Sequence, residues 1–122
     1  MPLILSEELA ADYPEVCFAD RNAALPTTPS WDPIVWDPTS VTVQFETDEI
    51  ESILVDVYLE DESSPDGLNE LFDGQITLMT DGLLVFVPTG DEFVLEQVTE
   101  GTHRIRLFRD PAESRRVVAL ID

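Results

Sequence analysis

The stretch Val41-Thr-Val-Gln-Phe-Glu46 alternates apolar and polar side chains, and the stretch Ile53-Leu-Val-Asp-Val-Tyr-Leu-Glu60 does the same. A period of two is typical of β-strands with one buried face and one solvated face. We predict that these two strands pair as a hairpin in which Phe45 faces Ile53. The hairpin tip, residues 46–52, would then carry four carboxylates on a single loop.

Two further hairpins are predicted from the turn residues. Within residues 75–88, the dipeptide Asp81-Gly82 is the one that a two-residue type I′ turn prefers, because both central positions of that turn need positive φ. Farther along, the pattern favours a three-residue loop at residues 99–101 that sets Glu96 opposite Arg104. A register shifted by one residue would exchange the core and solvent faces of both strands.

These patterns, with an apolar final strand at residues 115–122, predict an all-β fold: an antiparallel β-sandwich or half-open barrel of about five to seven strands. Ahead of the strands, residues 6–13 are predicted to form a short helical turn capped by Ser6. The four prolines of residues 26–38 favour an irregular path. We therefore expect one acidic β domain over residues 1–122, with residues 1–40 packed on it as an irregular segment. The predicted core comprises Val43, Phe45, Val55, Val57, Leu78, Val85, Phe93, Leu95, Ile105 and Leu107.

The charge balance is extreme for a chain with an ordinary core. The 122 residues include 26 carboxylates and six arginines, for a net charge of −20, while 43% of the residues are hydrophobic. This charge would repel nucleic acid and an anionic membrane surface. No signal peptide or long apolar run is evident, and the lone Cys17 has no partner for an internal disulfide, so we expect a cytoplasmic protein.

No residue pattern favours catalysis, a metal or a cofactor. A nucleophile pair of Cys17 and His103 has no support from local spacing. The carboxylate-rich loop at residues 61–67 departs from the calcium-binding EF-hand pattern, because Pro65 stands where a ligand belongs. The sequence therefore predicts a protein that is not an enzyme.

The carboxylates themselves are the main functional candidate. A rigid β scaffold can hold them at spacings comparable to those of duplex phosphates, and so present them to a cationic protein such as a nuclease or toxin. We expect the protein to act as a monomer or homodimer. The candidate partner-binding residues are Glu46, Asp48, Glu49, Glu51, Asp56, Glu60, Asp61, Glu62 and Asp66.

Alternative interpretations remain open at this point. The acidic face could meet basic subunits of a larger assembly, or the charge could be an adaptation to a saline cytoplasm with no partner. The repeated Trp-Asp-Pro at residues 31–33 and 36–38 favours indoles that cover an open end of the sandwich, with a hot-spot interface as the alternative. We interpret the arginine run at residues 104–116 as an internal counter-charge, with Arg104 and Arg106 reaching across strands to Glu96 and its neighbours.

The segments Leu83-Leu-Val-Phe-Val-Pro88, Phe93-Val-Leu95 and Gly101-Thr-His-Arg-Ile105 together suggest a family. Over residues 83–121 the chain resembles the second half of the competence protein J family, small acidic β proteins that inhibit a DNA-entry nuclease. His103 stands where the family pattern would place a tyrosine, and the first 40 residues show no match. The resemblance implies a β fold and nuclease inhibition.

Overall fold

A computed structural model describes residues 3–10, 15–22, 33–45, 52–59, 67–88 and 90–122. Within those ranges the chain forms ten strands and no helix. The strands are β1 (Leu3–Ala10), β2 (Glu15–Asp20), β3 (Ile34–Asp37), β4 (Ser40–Gln44), β5 (Ser52–Leu59), β6 (Asn69–Leu78), β7 (Leu83–Phe86), β8 (Glu92–Leu95), β9 (Gly101–Asp110) and β10 (Glu113–Ile121).

Two five-stranded sheets make up the fold. The first sheet has the strand order β1-β5-β10-β9-β6 and the second has β3-β4-β2-β7-β8. Every neighbouring pair is antiparallel except β5 and β10, which run parallel. The all-β sandwich prediction is confirmed, although the strands outnumber the five to seven expected.

The alternating pattern correctly identifies the buried face of most strands. In β5, Ile53, Val55 and Val57 are fully buried, and Leu54 and Asp56 between them are partly exposed. Nine of the ten predicted core residues are buried, and Phe93 is partly buried against the same cluster. The burial of alternate apolar side chains between two sheets is the main stabilising contribution to this fold.

The N-terminal predictions are wrong. The helical turn expected over residues 6–13 is strand β1 in its described part, because Leu5 and Leu9 are buried and the backbone pairs with β5. A helix of one or two turns is marginal in water, so sheet pairing prevails. Residues 1–40 were expected to be irregular, yet β1, β2 and β3 lie there. Pro33 and Pro38 flank β3, where proline is tolerated at the end of an edge strand.

The predicted hairpin between residues 41–46 and 53–60 is also wrong. Both strands exist, but Val43 lies opposite Val16 and Ile34 in the second sheet, whereas Val55 lies opposite Val117 in the first. Alternation specifies which face of a strand is buried, but it does not specify the neighbour. In a sandwich, consecutive strands can bury their apolar faces by packing across the core instead of pairing side by side.

The other two predicted hairpins fail for the same reason. Asp81 and Gly82 connect β6 to β7, and residues 96–100 connect β8 to β9, so each turn passes between sheets. The two turns are hydrogen bonded to each other: the Gly82 amide donates to the Val98 carbonyl at 2.8 Å, and the Glu100 amide donates to Asp81 Oδ1 at 2.7 Å. Gly82 and Gly101 do adopt positive φ, at 109° and 128°, as turn glycines do.

Hydrogen bonds close the two open sides of the sandwich. On the side where β3 meets β6, the Thr77 amide donates to the Pro38 carbonyl at 2.7 Å and Trp36 Nε1 donates to the Gln75 carbonyl at 2.9 Å. On the side where β1 meets β8, the Ala10 amide donates to Asp91 Oδ2 at 3.1 Å. The two sheets are thus tied at both sides as well as through their core.

Candidate protein-binding surface

Eight of the nine candidate carboxylates, all except Asp56, lie in residues 46–51 and 60–66, outside the described residues. The described strands nevertheless determine where these two segments attach. Residues 46–51 connect β4 to the start of β5, and residues 60–66 follow the end of β5. At about 3.3 Å per residue, the two attachment points on this eight-residue strand are about 23 Å apart. The two acidic segments therefore adjoin opposite ends of β5, and residues 46–51 are not the tip of a hairpin, because β4 and β5 belong to different sheets.

Asp56, the remaining candidate, takes part in an internal network. Its Oδ2 accepts a hydrogen bond from Arg116 Nε at 2.7 Å, and its Oδ1 accepts one from the Ser6 hydroxyl at 2.6 Å. Arg116 also contacts Asp110 at 3.1 Å. The Asp56 side chain is 15% exposed. This carboxylate therefore links β1, β5 and β10, and much of its hydrogen-bonding capacity is used within the chain.

The arginine run is an internal counter-charge, as the sequence predicted, but with different partners. Arg104 binds both oxygens of Asp73 at 2.9 and 2.7 Å, and Arg106 lies 3.4 Å from Glu70. The expected pair of Arg104 with Glu96 is wrong, because β8 and β9 belong to different sheets. The pairs are Arg21–Glu96, Arg104–Asp73, Arg106–Glu70, Arg115–Glu8, Arg115–Glu113, Arg116–Asp56 and Arg116–Asp110.

These pairs shift the pKa values of several carboxyls. The hydrogen bond from Arg104 lowers the pKa of Asp73. The Ala112 amide, followed by Arg116, lowers the pKa of Asp110, and Arg115 lowers the pKa of Glu113. All three carboxyls are therefore held in the ionised form.

Two arginines also lie over aromatic rings of the same chain. The Arg106 guanidinium is 5.2 Å from the centre of the Phe108 ring, and that of Arg109 is 4.5 Å from the centre of the Phe45 ring. Every arginine thus contacts a carboxylate or a ring within the described residues.

The exposed Glu7, Glu92 and Glu100 form no ion pair with a described residue. The six arginines are committed internally, and the exposed carboxylates of Glu7, Glu92 and Glu100 are left without a cationic partner among the described residues.

Cys17 and His103 are not brought together as a nucleophile pair. Cys17 is buried in β2 of the second sheet, where its Sγ lies 3.1 Å from the Thr42 hydroxyl. Burial raises the pKa of this thiol to about 11. His103 lies on β9 of the first sheet, with its ring nitrogens at 3.0 and 2.6 Å from the carbonyls of Asp122 and Thr99.

In the described ranges, no group of three or more His, Cys, Asp and Glu side chains could hold a metal ion. Among those same residues, none forms a helix long and apolar enough to cross a bilayer. The loop at residues 61–67, weighed above as a calcium site, lies outside the described part except for Gly67.

Trp36 lies on the side of the sandwich where β3 meets β6. Its indole contacts Phe72, with ring centres 6.3 Å apart, and the residue as a whole remains 50% exposed. The repeated Trp-Asp-Pro motif identified Trp36 from the sequence. No sequence pattern identified Phe72, because its contact with Trp36 depends on the tertiary fold. Trp31 lies outside the described residues.

No protein-family model and no curated protein sequence matches the chain. Among solved structures, the chain is similar to the crystal structure of ComJ from Bacillus subtilis, described as an inhibitor of the DNA-degrading activity of NucA. The TM-score is 0.78 over 99% of this chain and 95% of that chain, at 10% sequence identity. The resemblance noted over residues 83–121 is therefore confirmed, and at the level of the fold it extends to nearly the whole chain.

Proposed function

We propose that this protein is a non-enzymatic inhibitor that binds and neutralises a cationic protein acting on nucleic acid, most simply a nuclease. The observation that carries this proposal is the fold shared with ComJ along 99% of the chain. Fold alone does not imply function, so the proposal also needs physical support from this chain.

The charge distribution supplies that support. A protein of net charge −20 whose arginines are engaged internally attracts a basic surface at long range. Such steering raises association rates by about 10- to 1,000-fold at low salt, which suits an inhibitor that must act before its target cuts DNA. Binding is proposed to occur in the cytoplasm, by a monomer or homodimer.

The carboxylates in residues 46–51 and 60–66 remain our proposed contact residues. Their segments attach at opposite ends of β5, about 23 Å apart, and this spacing suits a broad contact more than a plug for one narrow cleft. If the carboxylates stand in for backbone phosphates, the partner's DNA-binding groove is the surface that they occupy.

A DNA-degradation assay tests the proposal. Basic proteins from the source organism are separated by cation exchange, and each nuclease-active fraction is incubated with plasmid DNA, with and without this protein. NucA serves as a defined second target. We expect stoichiometric protection of the DNA against at least one nuclease. The proposal is wrong if every nuclease, NucA included, degrades DNA equally fast with excess protein present at low salt.

A halophilic adaptation without a partner makes a different prediction for the same assay. Under that alternative no nuclease is inhibited at any salt concentration. An assembly protein would instead co-purify with basic subunits that have no nuclease activity.

A further inference from the structure

We infer that Trp36, supported by Phe72, is the anchor on which an arginine side chain of the cationic partner stacks. The inference rests on the proposed function, because it identifies a contact point for that same partner. It places this point on the side of the sandwich where β3 meets β6, at a described residue that is not one of the nine candidate carboxylates.

The position of the Trp36 indole is fixed before any partner arrives. Its Nε1 donates to the Gln75 carbonyl at 2.9 Å, and its ring contacts Phe72 at a centroid distance of 6.3 Å and an interplanar angle of 37°. The Phe72 ring in turn lies over Gly74, where a Cβ would come within 2.5 Å of Phe72 Cζ. An aromatic side chain held in this way loses little conformational freedom on binding, as interface hot spots require.

Half of the Trp36 surface nevertheless remains accessible to solvent. A tryptophan whose only purpose was to cover the core would be expected to be more deeply buried. Among the aromatic residues that the structure describes, Trp36 is the one that is exposed, whereas three are buried and four are partly buried. The hydrogen bond to the Gln75 carbonyl satisfies the one polar group of the indole, so the exposed part of the indole is apolar ring surface.

The positions of the arginines show that the Trp36 ring has no cation from the described part of this chain stacked on it, unlike two of the phenylalanine rings. Arg106 and Arg109 lie over Phe108 and Phe45, so two phenylalanine rings already have a cation from the same chain. Trp36 has no such cation among the described residues, although tryptophan is the ring that binds cations most strongly. The ring is therefore open to a cation from outside.

Charge complementarity determines the occupant. With a net charge of −20, this chain attracts a basic partner. Arginine is favoured over lysine, since its planar guanidinium stacks on an aromatic face and is less strongly hydrated than an ammonium. The occupant is thus an arginine-bearing cationic surface.

Two peptides of equal charge, nona-arginine and nona-lysine, serve as the probes. Dissociation constants are measured by calorimetry near physiological salt for the wild type, Trp36→Leu and Trp36→Phe. We expect the wild type to prefer nona-arginine, and Trp36→Leu to bind it about two- to fivefold more weakly with little change for nona-lysine. Trp36→Phe should retain part of the preference. The indole N–H resonance of Trp36 should shift when nona-arginine is added.

Three controls separate this role from a structural one. Val94→Ala removes apolar surface from a residue that is 40% exposed on the distant edge strand β8, and should leave both affinities unchanged. Trp31→Leu tests the other Trp-Asp-Pro unit. Thermal unfolding of each variant shows whether the fold persists. If Trp36→Leu does not fold, Trp36→Phe, which retains an aromatic ring at this position, provides the test.

The inference is overturned if Trp36→Phe and Trp36→Leu both keep the full arginine preference, or if Val94→Ala or Trp31→Leu removes it equally. It is also overturned if Trp36→Leu converts a dimer to a monomer, because the ring then contacts a second copy of the chain. Failure of the proposed function is distinguishable: no nuclease would be inhibited, while the peptide preference would persist. Conversely, if Trp36→Leu inhibits a nuclease as strongly as the wild type does, the proposed function stands and Trp36 is not the anchor.

Discussion

Cys17 occupies a position where its thiol is shielded and hydrogen bonded. It is 3% exposed, lies 3.1 Å from the Thr42 hydroxyl, and its pKa is raised to about 11 by burial. The thiolate is the reactive form, so a raised pKa and burial both oppose modification.

We therefore predict that Cys17 reacts with a thiol reagent such as Ellman's reagent only when the protein unfolds. At about pH 8 the native protein should react far more slowly than a free thiol, and addition of denaturant should restore the normal rate. Because the folded pKa is raised, the thiol's contribution to stability is present below its unfolded value near 9.0 and is lost as the pH rises through about 11. Fast labelling of native protein would show that Cys17 is accessible.

Asp56 tests whether a candidate contact residue is structural. Because it binds Arg116 and Ser6, Asp56→Asn should lower the free energy of unfolding by about 1–2 kcal/mol. It should leave the association rate with the nuclease close to that of the wild type. Chemical denaturation and stopped-flow binding measure the two effects. Glu92→Gln, at an exposed carboxylate that forms no ion pair with a described residue, is the matched control and should change stability by less than about 0.5 kcal/mol. A stable Asp56→Asn variant that binds slowly would return Asp56 to the contact surface.

At the scale of elements, the strands were predictable from the sequence and their neighbours were not. The alternation of Ile53, Val55 and Val57 located β5 and its buried face, because the side-chain period of a strand is local information. The pairing of β5 with β1 and β10 depends on residues that lie 42 to 55 and 62 positions away, respectively. Turn glycines such as Gly82 reveal a reversal of the chain, but they do not distinguish a hairpin from a crossing between sheets.

The same limit applies to the candidate site. The internal role of the arginines could be predicted from their small number, whereas the partners Asp73 and Glu70 required the pairing of β6 with β9. The contact between Trp36 and Phe72 joins strands of different sheets, so no local pattern indicates it.

The pair of Arg104 and Asp73 across β9 and β6 should make stability depend on pH. The pKa of Asp73 is lowered by Arg104, so the stabilisation is present above the unfolded value near 3.8 and is lost as the pH falls through the lower folded value. The stability difference between wild type and Arg104→Gln should therefore be measurable near neutral pH and vanish in strong acid. Denaturation curves across this range measure it. In an Asp73→Asn background, the stability difference caused by Arg104→Gln should not depend on pH. If the pH dependence persists there, it arises from a group other than Asp73.

At the scale of the whole molecule, the net charge opposes folding and favours association with a cation. Like charges at a net −20 repel, and salt screens this repulsion beyond about 8 Å near physiological ionic strength. The same screening that should stabilise the fold should weaken the attraction to a partner.

We predict that neutralising Asp48, Glu49 and Glu51 to Asn, Gln and Gln slows association about three- to tenfold and leaves the fold intact or slightly more stable. The net charge changes from −20 to −17. The matched control, Glu7→Gln with Glu92→Gln and Glu100→Gln, has the same net charge but alters carboxylates elsewhere. Equal rates for the two variants would show that residues 46–51 are not the contact surface, and the segment from Trp31 to Pro38 would become the preferred site.

The association rate constant between this protein and an inhibited nuclease, measured by stopped flow as salt rises from about 0.05 to about 0.5 M, tests the central claim most directly. We predict that the rate constant falls by about 10- to 100-fold, while the dissociation rate changes much less. The nuclease's own activity on DNA is measured at each salt concentration as the control. A rate constant that stays within about twofold across this range would contradict binding through the acidic surface.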